Sequence, residues 1–381
     1  MDLVYLDNSA TSHPKPPEVY VAIDAMTRCG VNADRGGYGL ARQTGQVIQK
    51  ARESLARLVG VQRSSNVIFA PSATIALNMV LFGLRWSYGD NVYLSPFEHN
   101  SVLRPLYRLR DQWDVNLRMI LVERKSLDYD LDELRKQFRR YRPKLVVTNH
   151  GSNVCGVVAP LREIALLAKE YGALVLVDAA QTLGTIPVSM VEPPIDYLVF
   201  SGHKDLCGPI GVGGLIINSP VRLEPVIFGG TGVHSELEGM PTEYPHRLEV
   251  GSPNAAAIAG LSAGLDFVNN NQHIRSHKER LFQLLLDELE KYPEIKVYAS
   301  RDESNRLPVV SCTVSGYTPQ EFAMVLDRHF NIAVRAGVHC APKAHEFLGT
   351  APLGAVRFSL GAFNTEQDIV RVAEALATLL S

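Results

Sequence analysis

Neither sign of charge is in excess in this chain. Its 381 residues carry 38 Lys and Arg against 40 Asp and Glu, a formal net charge of −2. No global field therefore recruits nucleic acid or an anionic membrane. Long apolar runs are missing as well. Stretches such as Ala173–Val177 end after a few residues, far short of the roughly 18 that cross a bilayer. No basic segment leads into an apolar one near Met1, so no signal peptide is expected. Cysteine is scarce: five residues (Cys29, Cys155, Cys207, Cys312 and Cys340), widely spaced and without a CxxC pair. That set excludes a disulfide framework and fits a reducing, cytoplasmic compartment. Low-complexity tracts and internal repeats are also absent. What remains is 46% hydrophobic and 20% charged, as in ordinary globular domains. The length predicts two to three domains, or one large and one small.

From about residue 60 to 220, short apolar strands alternate with amphipathic helices. Strands are predicted at Asn66–Ala70, Asn91–Ser95, Leu117–Val122, Lys144–Asn149, Ala173–Val177, Tyr197–Phe200 and Val212–Ile217. Helices are predicted at Ser72–Leu84, Glu98–Gln112, Leu131–Arg140 and Leu161–Tyr171. Continuously apolar strands separated by helices imply a mostly parallel sheet covered on both faces. Residues 220–255 lose this periodicity and read as an extended, loop-rich segment. Helices at Pro253–Asn270, Gln272–Tyr292, Thr318–Phe330 and Thr365–Leu380, with strands at Leu307–Val314, Asn331–Val334 and Val356–Leu360, then form a smaller α/β unit. The expected division is a large domain of residues 16–255 and a small one of residues 1–15 and 256–381.

Ligands of open α/β sheets sit beyond the carboxyl ends of the strands, and that is where the unusual residues fall. Phe200-Ser201-Gly202-His203-Lys204 follows a strand. A lysine there can join a carbonyl cofactor as a Schiff base if its amine pKa is depressed. The same residue is otherwise a surface lysine in a loop. Asp178 ends the apolar run Val175–Val177, where a carboxylate is costly without a partner. It is either a helix N-cap or the group that holds a proton on a pyridine nitrogen. Ser72-Ala73-Thr74 at a helix start offers an anion site or a simple N-cap. His99 in Glu98-His99-Asn100 can stack on a planar ring or lie on the surface. Gly208, Gly211, Gly213 and Gly214 do not spell GxGxxG and follow Lys204, which disfavours a nicotinamide dehydrogenase. His339, Cys340 and His345 fit no common zinc spacing, so no metal is expected.

The order of these motifs resembles the class V aminotransferase family of fold-type I pyridoxal phosphate (PLP) enzymes. Within it the chain is most similar to SufS-like cysteine desulfurases and selenocysteine lyases. The resemblance runs nearly end to end, through Leu6–Ser12 with Pro14-Lys15-Pro16, Glu98-His99, Ser152-Asn153-Val154, Val177–Gln181, Ser201–Lys204, Glu249–Asn254, Val334–Cys340 and Val356–Ser359. It implies an α/β fold with a mostly parallel seven-stranded sheet in the large domain, a smaller C-terminal α/β domain, and PLP as cofactor. By the same resemblance Lys204 would carry the cofactor and move protons, Asp178 would pair with the pyridine nitrogen, and His99 would stack on the ring. Gln181 would reach the phenolic oxygen and Asn153 the ring or substrate. Ala73 (through its backbone N–H), Thr74, Ser201 and His203 would hold the phosphate, joined by Ser252 from the second subunit of a homodimer. Arg357 would clamp the substrate carboxylate, with Arg335 beside it.

Cys340 aligns with the nucleophilic cysteine. An untuned thiol is only a few per cent thiolate at neutral pH, and His339, Arg335 and the cofactor site are the groups placed to change that. The other four cysteines are read as buried and structural. The implied reaction converts L-cysteine to L-alanine and leaves a persulfide on Cys340 for an acceptor protein or thiol. Alternatives are a selenocysteine lyase or another C–S lyase of cysteine or cystine, then an aminotransferase. Outside catalysis, a sulfur-relay protein that keeps the fold is the remaining reading. No nucleic acid or membrane partner is expected.

Overall fold

The computed structural model describes residues 2–33, 36–303 and 306–380. The chain opens with strand β1 (Val4–Tyr5) and helices α1 (Pro17–Cys29) and α2 (Gly39–Leu58). An alternating stretch follows: β2 (Val67–Ala70), α3 (Ala73–Gly83), β3 (Asn91–Leu94), α4 (Asn100–Trp113), β4 (Asn116–Met119), α5 (Leu131–Arg140), β5 (Pro143–Asn149), α6 (Leu161–Glu170), β6 (Leu174–Asp178), β7 (Tyr197–Ser201) and β8 (Gly213–Ile217). Then come α7 (Ala255–Asn270), α8 (Ile274–Leu289), β9 (Ile295–Tyr298), β10 (Val309–Val314), α9 (Pro319–Phe330), β11 (Ile332–Ala333), β12 (Arg335–Gly337), α10 (Pro342–Leu348), β13 (Ala355–Ser359) and α11 (Glu366–Leu380). No described helix is long and apolar enough to cross a membrane.

Seven strands form the large sheet in the order β2-β8-β7-β6-β5-β3-β4. Only β8 runs against its neighbours. The central strands are buried on both faces, as their unbroken Val, Leu and Ile content requires. Two apolar layers cover it. One gathers α2 and α6 around Ile48, Leu55, Ile164 and Phe200, and the other gathers α3 and α4 around Leu77, Val80, Leu103 and Leu106. Two of the glycines that failed the dinucleotide pattern serve packing. A Cβ on Gly213 would lie 2.8 Å from the Phe200 carbonyl and 3.0 Å from the Ala73 nitrogen, and one on Gly214 2.2 Å from the Ile68 carbonyl. Glycine lets β8 press against the start of α3.

The smaller sheet, β12-β13-β10-β9, is antiparallel and packs with α8, α9 and α11 around Phe282, Phe322 and Phe358. β1 joins this unit by pairing in parallel with β11, Val4 opposite Ile332. α7 packs on the other side, placing Ala257, Ile258, Leu261 and Leu265 in the core of the large sheet.

Three differences from the expected elements stand out, and the first has a local cause. α4 starts at Asn100 rather than Glu98, because Glu98 turns inward and its Oε1 accepts from Ser95 N, Ser95 Oγ and Asn149 N. β4 is shorter than Leu117–Val122 and lies at the sheet edge, half exposed. α1 and α2, unassigned in the sequence, fill residues 17–58. Residues 219–254 hold no helix or strand of this order, as their composition predicts.

Candidate active site

The carboxyl ends of β5, β6 and β7 and the start of α3 meet at one edge of the large sheet. There they enclose a cavity of about 240 Å³. Asn149, Asp178 and Ser201 are the last residues of their strands. Ala73, Thr74, His99, Asn153, Asp178, Gln181, Ser201, His203 and Lys204 all line the cavity, and Arg335, Cys340 and Arg357 enter it from the smaller unit. Ser252 does not. It is exposed, 3.4 Å from Asn32 Nδ2, and borders a separate cavity of about 730 Å³ beside Arg52 and Glu249.

The electrostatics of this cavity are unusual. Asp178 is 6% exposed and its Oδ1 accepts only from Ala180 N, at 3.0 Å. Burial pushes its pKa up, and it has no ion-pair partner among the described residues. Burial pushes Lys204 the other way, down to about 8, against the pull of Asp178. His99 caps α4: its Nδ1 accepts from Ser101 N at 3.1 Å, so Nε2 carries the proton. Burial, with Lys204 nearby, holds that imidazole neutral with a pKa near 4. Thr74 Oγ1 lies 2.7 Å from Ser101 Oγ, so a hydroxyl pair braces the ring.

Several buried polar atoms of the cavity residues have no partner: His203 Nδ1, Asn149 Oδ1, Asn153 Oδ1 and Arg357 Nε. The first-turn N–H groups of α3 also lack intrahelical acceptors and suit a phosphate. A carboxyl group without a counter-ion, an amine of depressed pKa and an anion cradle fit one kind of guest. It bears a phosphate, a protonatable ring nitrogen and a carbonyl carbon.

Arg357 sits on β13 with its side chain 2% exposed. One guanidinium nitrogen donates to Asn153 O at 3.1 Å, and another is hydrogen-bonded to Asp7. Arg335 stands 3.8 Å from the other Asp7 oxygen. Asp7 thus holds the place expected for a substrate carboxylate. Gln181 Nε2 donates to Ser9 O at 2.9 Å.

Cys340 is exposed at the mouth of the cavity. It and His339 both have left-handed backbones, with φ of 56° and 47°, a conformation costing non-glycine residues about 1–3 kcal/mol each. Surrounding hydrogen bonds impose it. Asn153 Nδ2 donates to His339 O at 2.8 Å, and Asn100 N donates to Cys340 O at 2.7 Å. Beneath the thiol lies a buried chain. Thr350 Oγ1 is 2.7 Å from His345 Nδ1, and His345 Nε2 is 3.1 Å from His339 Nδ1. The Arg335 carbonyl facing His339 Nε2 at 3.4 Å sets the direction: each imidazole donates from Nε2 and accepts at Nδ1.

Burial keeps both histidines uncharged, His339 with a pKa near 2 and His345 near 4. Of the groups named as able to tune the Cys340 thiol, His339 therefore brings no positive charge. Sequence reasoning missed Asp7, Ser101 and the positioning role of His345. Asp7 lay inside a quoted motif, whereas His345 carried no signal beyond its nearness to Cys340.

Among the remaining cysteines, Cys155, Cys207 and Cys312 are buried. Burial raises their thiol pKa values, to about 11 at Cys207 and about 12 at Cys312. Cys29 corrects the expectation: it is exposed on the last turn of α1, where its thiol donates to Ala25 O at 2.9 Å.

A pH effect follows from the fully enclosed histidines. His150, whose pKa burial lowers to about 4, joins His339 and His345 in refusing a proton that the unfolded chain accepts near 6.5. Their stabilisation is complete above pH 6.5 and is lost as the pH falls, down to about 4 for His150 and His345 and about 2 for His339. The expected slope is about 1.4 kcal/mol per pH unit for each histidine. Urea midpoints between pH 7.5 and 5 should drop steeply, and His150→Asn should flatten the curve. A midpoint that does not move over this range would refute the burial argument.

Comparison with known proteins agrees with this geometry. Residues 4–372 match the aminotransferase class-V family. A probable cysteine desulfurase of Methanothermobacter thermautotrophicus is 31% identical over 98% of this chain and 94% of its own. A probable cysteine desulfurase of Pyrococcus abyssi is 32% identical over 97% and 92%. The apo structure of a cysteine desulfurase from Thermococcus onnurineus superposes with a TM-score of 0.93, at 31% identity, over 99% of this chain and 94% of the other. The S-sulfonic acid form of an Escherichia coli cysteine desulfurase does so with 0.88, at 27% identity and the same coverage. By sequence, fold and the residues gathered at the sheet edge, this chain belongs to the class-V aminotransferase family.

Proposed function

We propose that the protein is a PLP-dependent cysteine desulfurase that converts L-cysteine to L-alanine and leaves the sulfur as a persulfide on Cys340. The observation that carries this reading is the composition of one cavity: Lys204, an unpaired Asp178, the buried guanidinium of Arg357 and an exposed Cys340 all line it. When bound, PLP supplies the electron sink that acidifies the substrate Cα–H. Lys204 Nζ attaches the cofactor and moves the proton at Cα, for which a pKa near 8 is suited. Asp178 holds the proton on the pyridine nitrogen. His99 stacks on the ring, Gln181 faces its phenolic oxygen, and Asn153 lies beside ring or substrate. The Ala73 N–H, Thr74, Ser201 and His203 hold the phosphate. Arg357 takes the substrate carboxylate as a bidentate pair in exchange for Asp7, with Arg335 at the rim. Cys340 Sγ attacks the substrate sulfur; the substrate Cβ–S bond breaks, its electron pair stays on the three-carbon fragment, and that carbon takes up a proton to become the methyl group of alanine.

A homodimer belongs to the same proposal. Ser252 is exposed and outside its own cavity, as expected of a residue offered to a second copy. The division into residues 16–255 and residues 1–15 with 256–381 is retained as a proposal, with α7 packed on the large body. Five free thiols support a reducing, cytoplasmic setting, with a protein or thiol as sulfur acceptor.

The test is alanine formation from L-cysteine by PLP-loaded protein with excess dithiothreitol. We expect stoichiometric alanine and sulfide from a species of twice the 41.9 kDa chain mass. No alanine after loading would overturn the reading, and turnover confined to L-selenocysteine or cystine would replace it.

A further inference from the structure

Cys340 faces two cavities. Besides the inner one, a second of about 480 Å³ opens on the outer face of α4. Thr74, His99, Ser101 and Cys340 line both, so the thiol stands in the wall between them. Arg104 and Arg108 line only the outer cavity. They lie one helical turn apart on α4, both exposed, and neither has a carboxylate in ion-pairing range among the described residues. Like charges at this spacing repel each other. Arg110 on the same helix is by contrast compensated, meeting Asp111 at 3.0 Å, so the uncompensated charge of α4 is concentrated at this cavity. The loop of the thiol is fastened to the same helix, since Asn100 N donates to Cys340 O at 2.7 Å. Two uncompensated guanidiniums and an exposed cysteine therefore share one concave surface, of a size suited to small molecules.

We infer that this outer cavity binds a small anion carrying its own sulfur nucleophile, such as sulfite or a carboxylate-bearing thiol, and that sulfur leaves Cys340 on this side. The inference rests on the persulfide reading above. The substrate enters the inner cavity, where Arg357 takes its carboxylate. The acceptor approaches from the opposite wall, guided by Arg104 and Arg108. Its sulfur attacks the outer sulfur of the Cys340 persulfide, the S–S bond breaks, and Cys340 leaves as thiolate. With sulfite the product is thiosulfate. The persulfide anion and sulfite dianion become a thiolate and a thiosulfate dianion, so atoms and charge balance and no further oxidant or reductant takes part. A neutral thiol follows the same course without the electrostatic help.

The test uses the double variant Arg104→Ala/Arg108→Ala, whose altered side chains are exposed. Alkylation of Cys340 is followed by mass spectrometry of its peptide, with iodoacetate as the anionic probe and iodoacetamide as the neutral one. This readout needs no turnover. We expect the iodoacetate-to-iodoacetamide rate ratio to fall about fivefold, which is about 1 kcal/mol, with the iodoacetamide rate unchanged. Added salt should narrow the difference. In turnover with L-cysteine, KM for sulfite should rise about fivefold, while 2-mercaptoethanol supports the same rate as in wild type. A rate ratio within twofold of wild type would overturn the inference. So would an equal loss in Arg110→Ala, which tests general surface charge. Loss of the anion preference in a protein that forms no alanine with any acceptor would uphold the anion site and overturn the desulfurase reading instead.

Discussion

Replacing Lys204 by alanine should remove turnover, a loss on the order of 10⁴-fold or more, together with the absorbance of covalently attached cofactor. Among the described residues, Lys204 is the only lysine lining the inner cavity. Burial lowers its pKa to about 8 although Asp178 pulls the other way, so an appreciable fraction is the neutral amine under mildly alkaline conditions. Only the neutral amine attacks a carbonyl. Lys204→Arg separates this chemistry from simple charge. Arginine keeps the cation beside Asp178 but does not deprotonate, and it should be as inactive as alanine. Spectra recorded after adding PLP, read alongside alanine release, check both variants. Turnover by Lys204→Arg within tenfold of wild type would remove Lys204 from the mechanism.

The second large effect is at Cys340. Cys340→Ala should lower alanine formation from L-cysteine by on the order of 10³-fold while leaving cofactor absorbance and the spectral response to substrate intact. Alanine suits the comparison because it meets the same left-handed backbone at φ 56° as cysteine does. The anchors from Asn153 and Asn100 attach to backbone carbonyls, so they survive the change. Among the described residues no other thiol lines the cavity. Mass spectrometry of wild type after one turnover without reductant should find one extra sulfur on the Cys340 peptide. Equal alanine formation by wild type and variant would show that the thiol is not the acceptor.

The large sheet was legible because its strands are short, apolar on both faces and separated by helices with one polar side. Lys204, Asp178 and His99 were legible because each follows such a strand, where a polar residue interrupts an otherwise apolar pattern. The packing reason for Gly213 and Gly214 was not, since it depends on how closely β8 approaches α3. β1 and β12 are only two and three residues long. Pairings of that length leave no period to read, and the partner of β1 lies at the far end of the chain. Helices α1 and α2 escaped because much of their surface is polar and they bury only a narrow stripe. Cys29 shows the limit of composition rules. Free cysteines are usually buried, but the cysteine ending α1 points outward. His345 needed the folded loop, because its role comes from meeting His339 and Thr350 in space.

The segment from Val4 to Ser12 ties together parts of the chain made at very different times. Its backbone pairs with β11, Asp7 meets Arg357, and Ser12 N donates to His203 O at 3.0 Å. Asp7 and Arg357 are 350 positions apart. At the roughly 5–20 residues per second of ribosomal synthesis, the leading segment waits about 20 to 70 s for its partners. The large sheet can fold in that interval, but the wall that contributes Arg335, Cys340 and Arg357 does not yet exist. A cofactor arriving early meets a pocket open on one side. On the function proposed above, retention of the cofactor would then be a late event in the life of each chain, timed by the emergence of β13 from the ribosome.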